Sequence, residues 1–457
     1  MDLHLELAPR GEGRRSALER ALRDAIRTGR LAPLASLPSS RALAAELGLS
    51  RGTVSAAYGQ LVAEGYLTAQ RGSGTVVSSL AQTRPARRTP APAGAPPQRH
   101  DPRHDLRPGQ PDVSQFPVPA WLRATRRVLS RVPWEAYGYG DPRGRAELRT
   151  VLAEYLGRAR GVLAVPEQVI ITSGYAQALA LLGRVLAEDG TTTVWMEDPC
   201  LDFHRDIVRH AGLSVAGLPV DDRGARTGQL PLEAGAVVLT PAHQYPAGAT
   251  LHPARRHALA EWARSSGGLV IEDDYDGEFR YDRQPVGAVQ GTAPDHVVYA
   301  GTTAKTLGPA LRLGWMVLPR RLVEPVAEAK RLADHHTETL GQLALAELIA
   351  VHAYDRHIRA CRLRYRRRRD LLLARLPGPA VRGVAAGLHA LVSVPSEAEV
   401  MDLAAREGLA IGGLGAHWHQ PGDHPQGVLV GFGTPSESAY PSALDALVRV
   451  LRAAGVR

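Results

Sequence analysis

Apolar side chains recur every three or four positions through the first 65 residues. Leu18, Leu22, Ala25 and Ile26 make one stripe, Leu43, Ala44 and Leu47 a second, and Val54, Tyr58, Leu61 and Val62 a third. This spacing predicts three amphipathic helices. Ser39 or Ser40 stands where it can cap the second helix and Gly48 where it can stop it, while Ser50 can cap the third, which ends at Gly65. The pattern then shortens to "YLTAQRGSGTVV", two predicted strands around a turn at Gly72, Ser73 and Gly74. Three helices followed by a small hairpin form a winged helix-turn-helix.

From residue 105 the pattern is different. Near-continuous apolar runs, "QVIIT" (168–172), "TTVWM" (192–196), "AVVLT" (236–240), "LVIED" (269–273), "HVVYAG" (296–301) and "GWMVL" (314–318), alternate with helical stretches. Unbroken runs of this kind are strands buried on both faces. The expected fold is α/β, a mostly parallel sheet between helices, followed by a long helical region from about 320 to 374 and a smaller α+β tail. Residues 80–104, with six prolines, five arginines and almost nothing apolar, divide the two patterns. They cannot form a core and predict a semi-extended linker. The domains expected are therefore 1–79, 80–104 and 105–457.

Composition adds limits. A hydrophobic fraction of 44% and a charged fraction of 22% are those of a soluble globular chain. No apolar run is long enough to span a bilayer and the N-terminus lacks a signal-peptide core, so the cytoplasm is expected, with no membrane partner. The only two cysteines, Cys200 and Cys361, make no disulfide framework and have no zinc-like spacing. Cys200 reads as packing, since no base can be placed beside it. The net charge of +9 points to an anionic partner.

The N-terminal module suggests double-stranded DNA as that partner. A recognition helix fits the major groove with its N-terminal side chains at base edges. Arg51 and Thr53 stand there, Arg51 able to give a guanine two donors and Thr53 able to meet a phosphate or a base. Arg41, at the start of the preceding helix, suits a phosphate. In the wing, Arg71 precedes Gly72, and glycine lets the backbone approach a minor groove. The segment from Leu37 to Val77, with "LPSSR", "SRGTV", "AY" and "EGYL" ahead of the glycine wing, resembles the GntR superfamily of bacterial transcription regulators. That resemblance implies DNA binding by a dimer at paired operator half-sites.

Of the 55 basic side chains only two, Lys305 and Lys330, are lysine. Arginine stays charged in proteins, whereas a lysine amine can lose its proton and attack a carbonyl. Lys330 lies in the polar helical stretch "VAEAKRLADHH" and reads as surface charge. Lys305 lies in "GTTAKTLGPALRLG", just past a strand, on the side of a parallel sheet where ligands bind. Other strand ends offer complementary groups. Gly174, Tyr175 and Ala176 place backbone N–H groups at a helix start suited to phosphate. Asp273 can stand at a pyridine nitrogen and Tyr275 at a phenolic oxygen, while Thr302 and Arg312 can finish the phosphate cup. An amine, a carboxylate and a phosphate cup are what pyridoxal phosphate needs.

Residues from about 105 onward resemble fold type I aminotransferases, and "TPAHQYPAG", "IEDDYDGEFRY" and "GTTAKTLGPALRLG" resemble the MocR subfamily of GntR regulators, including its PdxR-like members. The resemblance implies that Lys305 condenses with the cofactor's aldehyde, that Asp273 and Tyr275 hold its ring, and that Gly174, Tyr175, Ala176, Thr302 and Arg312 hold its phosphate. Tyr139, in "YGYGDPRG", matches the tyrosine that reaches the partner subunit's phosphate, which implies a homodimer. There are departures from the pattern. Tyr245 takes the place of the usual asparagine at the cofactor, and the ring-stacking residue is unassigned, with Phe203 and His204 as candidates. Leu429 stands where aminotransferases carry the arginine that clamps a substrate carboxylate, and no arginine occurs between 407 and 446.

Two other clusters read as structural. "HWHQPGDH", with His417, His419 and His424, lacks a fourth metal ligand and reads as a polar loop near the cofactor mouth. The arginines of "RLRYRRRRD" read as a solvated helix face. No residue is assigned a catalytic role. The expectation is a regulator that senses pyridoxal phosphate, alone or together with an amine or amino acid, as in control of vitamin B6 synthesis. The rival is a working aminotransferase with an accessory DNA-binding domain.

Overall fold

Leu18, Leu22, Ala25 and Ile26 are buried along one face of helix α1 (Arg14–Arg27). They meet Leu43 and Ala44 from α2 (Ser40–Leu47) and Val54, Tyr58 and Leu61 from α3 (Arg51–Ala63) in one core. Leu18, Leu22, Leu43 and Leu61 are all 0% exposed, and each such burial contributes about 1.5–3 kcal/mol. Ser39 is the residue that caps α2, its Oγ accepting from the Ala42 N–H at 3.2 Å, and α2 stops at Gly48 with φ 63°. Strands Ser36–Leu37, Gly74–Val77 and Leu67–Gln70 form a small antiparallel sheet in that order. Arg23 pairs with Glu64 and Arg27 donates to the Tyr66 hydroxyl, fastening α1 to the end of α3.

The computed structural model describes residues 13–70, 74–79, 102–282, 286–376 and 381–456. They fall into two units divided after residue 101. Most of the expected linker lies outside the described residues, but His104–Asp105 is a short strand paired in parallel with Leu409–Ala410.

The second unit is built on one large sheet, whose strands run in the order Val169–Thr172, Gly314–Val317, Val297–Thr302, Leu269–Asp273, Ala236–Leu239, Thr193–Asp198, Ser214–Asp221 and Gly224–Ala225. The predicted strands are all present within two residues. Pairing is parallel from Val297–Thr302 across to Ser214–Asp221, and antiparallel where Gly314–Val317 meets its two neighbours. Their unbroken apolar runs are buried on both faces. Strand Ser214–Asp221 escaped the sequence reading because it lies towards the edge of the sheet, partly exposed, and carries Gly217 and Pro219 within "SVAGLPVD". A four-stranded sheet of Val381–Arg382, His389–Ser393, Gly427–Gly431 and Gly412–Gly413 follows, with helices Glu397–Arg406 and Tyr440–Ala453 contributing to its core.

Three expectations change. The helical region after 320 is three helices, Arg320–Asp334, Thr339–Ala350 and Ala353–Arg375, broken where His335 (φ 62°) and His352 (φ 56°) take left-handed backbone. Lys330 is buried, not a surface charge, at 0% exposure. Its helix packs on Tyr175–Glu188, and Asp334 one turn on takes the ammonium at 2.8 Å. Arg368 likewise leaves the solvated arginine face. It is 2% exposed, paired with Asp112 at 2.8 Å, and donates to the carbonyls of Phe432, Gly433 and Pro435.

Candidate functional site

In the first unit, Ser50 Oγ accepts from the Thr53 N–H at 3.0 Å and shares a hydrogen bond with Thr53 Oγ1 at 2.8 Å. This cap starts α3 at Arg51, which is exposed and has no partner among the described residues, as is also true of Arg41 on α2. The Thr53 hydroxyl is thus engaged locally and offers one fewer contact than the sequence suggests. Tyr58 donates to the Pro38 carbonyl at 3.0 Å, which holds the "LPSSR" segment against α3. Arg71 and Gly72 lie outside the described residues.

In the second unit, the parallel strands end around a cavity of about 400 Å³. Lys305, Asp273, Tyr275, Gly174, Tyr175, Ala176, Thr302, Arg312 and Tyr245 all line it, which brings together nearly every residue assigned to a cofactor. Tyr139 does not join them. It is 87% exposed and packs its ring against those of His335 and His336.

Three consecutive acids, Glu272, Asp273 and Asp274, close one strand, and strand alternation sends them to different places. Glu272 accepts from the backbone N–H groups of Val289 and Gln290 at 2.9 and 3.0 Å. Asp274 pairs with Arg160 at 2.6 Å and accepts from the Tyr299 hydroxyl at 2.7 Å. Asp273 alone lines the cavity, and its buried Oδ1 has no partner among the described residues. Burial pushes its carboxyl well above the usual range, with the Lys305 amine pulling the other way. Such an orphaned acid is costly unless a donor or cation meets it.

Lys305 Nζ donates to the Gly109 carbonyl. Burial lowers its pKa, while Asp276 and Asp273 partly restore it. A desolvated amine of this kind is the nucleophilic form of lysine. At the other edge, Gly174 (φ 108°) begins helix Tyr175–Glu188, whose first N–H groups have no acceptor within the helix. The guanidinium of Arg312 lies close by: a side chain at Gly174 would put its Cβ 3.2 Å from Nη2. Arg312 has no carboxylate partner among the described residues. The Thr302 hydroxyl accepts from the Ala304 N–H at 3.1 Å and turns towards the Leu313 carbonyl. An unpaired guanidinium above a helix N-terminus suits a phosphate.

Several groups at this site carried no clear sequence signal. His243 Nδ1 lies 2.8 Å from Asp276 Oδ2 and 3.1 Å from the Tyr275 hydroxyl. The carboxylate assigns the proton to Nδ1, and the Tyr275 hydroxyl beside it also hydrogen-bonds to Asp276. Both His243 and Asp276 lie within the quoted motifs "TPAHQYPAG" and "IEDDYDGEFRY", which was the only hint. Glu197, pushed up to about 7 by burial, accepts from the Thr240 N–H and hydroxyl at 3.0 and 2.5 Å. Of the two stacking candidates, His204 lines the cavity, its ring 4.8 Å from that of Tyr175, with burial bringing its pKa down to about 4. Phe203 is 56% exposed outside it.

Leu429 is fully buried and packs with Leu391, Leu414, Tyr245 and Trp418. The loop histidines go separate ways. The His417 ring lies 5.2 Å from that of Tyr245, His419 sits 3.5 Å from Cys200 Sγ, and His424 stacks on Trp418. Burial raises the Cys200 thiol to about 12, so it stays protonated. Among the described residues no cluster is arranged to hold a metal ion, and no helix is long and apolar enough to cross a membrane.

A family model for bacterial regulatory proteins of the gntR family matches residues 14–77, and one for aminotransferase class I and II matches residues 104–411. The sequence is 33% identical over 428 residues, 92% of each chain, to the HTH-type pyridoxine biosynthesis transcriptional regulator PdxR of Corynebacterium glutamicum. It is 34% identical over 370 residues, 77% of this chain and 75% of that one, to the probable rhizopine catabolism regulatory protein MocR of Rhizobium meliloti. Kynurenine aminotransferase of Pyrococcus horikoshii, solved in complex with PMP, superposes with a TM-score of 0.69 at 25% identity, over 77% of this chain and 91% of that one. With a gntR-type helix-turn-helix at one end and an aminotransferase fold at the other, the chain belongs to the GntR-type transcription regulators of the PdxR and MocR kind.

Proposed function

We propose that this chain is a homodimeric, DNA-binding regulator that takes up pyridoxal phosphate and answers with a change in operator binding, controlling synthesis of the cofactor itself. The observation that carries the reading is the buried, unpartnered Asp273 carboxylate sharing a cavity with the Lys305 amine. When bound, pyridoxal phosphate supplies an aldehyde that condenses with a primary amine. Lys305 is the amine in reach, and Asp273 accepts from the ring nitrogen. Tyr275 donates to the phenolic oxygen, while the N–H groups of Tyr175 and Ala176 and the Arg312 guanidinium hold the phosphate. Leu429 removes the bidentate clamp that orients an amino acid, which costs a substrate charge-assisted binding of about 1.5–3 kcal/mol. That favours a sensor over an enzyme.

The response follows from linkage. Cofactor capture shifts the spacing of the two DNA-reading heads only if one arrangement binds it better than the other. The homodimer is supported by the exposed Leu122, Leu129, Trp134, Tyr137 and Tyr139, apolar surface of the kind partners cover. Sedimentation of the full chain as a monomer would refute that part.

The experiment is a gel shift on the DNA upstream of its own gene and its neighbours, with and without pyridoxal phosphate. The visible absorbance of the bound cofactor is followed in parallel. No uptake, or uptake with unchanged operator binding, sinks the reading. Turnover of an amino acid at ordinary enzyme rates would decide for the aminotransferase instead.

For the DNA-reading face, Arg51→Ala should weaken operator binding by about 1–3 kcal/mol, roughly five- to 150-fold, if the guanidinium reads a base edge. Competition with scrambled DNA checks this. An equal loss on both DNAs would demote Arg51 to a phosphate contact.

A further inference from the structure

One wall of the cavity carries chemistry that the cofactor contacts proposed above do not use. Strand His389–Ser393 pairs with Gly427–Gly431 so that Leu391 faces Leu429 and His389 faces Gly431. These positions therefore share one face of the small sheet. His389 lines the cavity, its ring 5.1 Å from that of His243 and 5.0 Å from that of Tyr245. It is 6% exposed. The ring is hydrogen-bonded to the Pro246 backbone carbonyl, and Nε2 has no partner among the described residues. A carbonyl only accepts, so the ring proton is on Nδ1 and Nε2 keeps its lone pair. Burial first, and then His243, holds the imidazole pKa well below its usual value, so the ring is neutral.

A buried acceptor with no donor is unfavourable until one arrives. A hydroxyl or amide N–H meets that need. A carboxylate offers only lone pairs, and the apolar cluster around Leu429 supplies no cation to offset its desolvation. We propose that this wall selects a second ligand, a small primary amine whose head group is an uncharged hydrogen-bond donor received by His389 Nε2, and that it rejects the α-carboxylate of amino acids. The inference rests on the pyridoxal phosphate reading, which places the amine end of the ligand near Lys305.

Three amines of one skeleton test it. 2-Aminopropan-1-ol carries a hydroxyl, isopropylamine carries no head group, and alanine carries a carboxylate. They are titrated calorimetrically into the full chain loaded with pyridoxal phosphate. The amino alcohol should bind about five- to tenfold more tightly than isopropylamine, and alanine should bind more weakly than the amino alcohol. His389→Phe should erase the preference for the hydroxyl and leave the visible absorbance of the cofactor intact. His389→Gln, whose amide oxygen accepts, should restore part of the preference. Alanine binding as tightly as the amino alcohol overturns the proposal. So does weaker cofactor uptake by His389→Phe before any amine is added, which would assign the imidazole to the cofactor. A chain that takes up no pyridoxal phosphate fails the cofactor reading and this inference together. A loaded chain that treats all three amines alike fails this inference alone.

Discussion

Lys305→Ala is expected to abolish the visible absorbance of bound pyridoxal phosphate and the effect of the cofactor on operator binding. The chain holds a single other lysine, Lys330, so no neighbouring amine can substitute. Arginine, with its guanidinium charged at any ordinary pH, cannot replace the function. Noncovalent contacts remain in the variant, namely the phosphate cup and Asp273, with charged hydrogen bonds contributing about 1.5–3 kcal/mol each. Some weak retention is therefore compatible with the expectation, whereas a persisting band is not. The control is Lys330→Met. Lys330 is 0% exposed and paired with Asp334, so alanine would open a cavity there, while methionine refills the stem. Its absorbance and its operator response should match wild type. If the cofactor alters operator binding equally in Lys305→Ala and wild type, covalent capture is not the switch.

Arg368→Met should destabilise the aminotransferase-like unit by about 3–5 kcal/mol, read as a lower urea midpoint. The guanidinium and Asp112 are each 2% exposed within their ion pair. Arg368 also donates to three backbone carbonyls near the C-terminal helix and to Glu437, and it lies over the Tyr440 ring at 5.3 Å. Removing it leaves the Asp112 carboxylate buried without its cation. Arg368→Lys should rescue little, since an ammonium cannot reach the carbonyls and the carboxylate from one position. Adding Asp112→Asn to Arg368→Met should recover part of the loss, because the stranded charge is gone. A midpoint unchanged in Arg368→Met would mean that the pair contributes no net stability.

The elements around the site were legible because their signals are local. The serine caps, the stripes of α1 to α3 and the apolar runs of the parallel strands rest on neighbours within a few residues. The partly exposed strand Ser214–Asp221, with Gly217 and Pro219, lacked that signal. Lys305 stood out through its glycine-flanked loop. Lys330 misled, because a lysine among polar residues looks solvated until a second helix covers it. Arg368 misled for the same reason, hidden among eight other arginines of one helix. The roles of Glu272, Asp273 and Asp274 show where local reading ends. Three adjacent acids are plain in the sequence, but Arg160 and the Val289 and Gln290 amides that occupy two of them come from elsewhere in the chain.

By itself, then, the sequence determined a winged helix-turn-helix joined to an α/β unit, and one lysine placed where an amine can do chemistry. Periodicity, capping and turn chemistry act over a few residues, and so they are written along the chain. The tertiary structure alone decided which acid stays unpartnered, which lysine is buried in an ion pair, and that a neutral His389 with a free lone pair lines the cavity. Those properties depend on burial and on neighbours that only folding brings together, His243 with His389 and Asp112 with Arg368 among them.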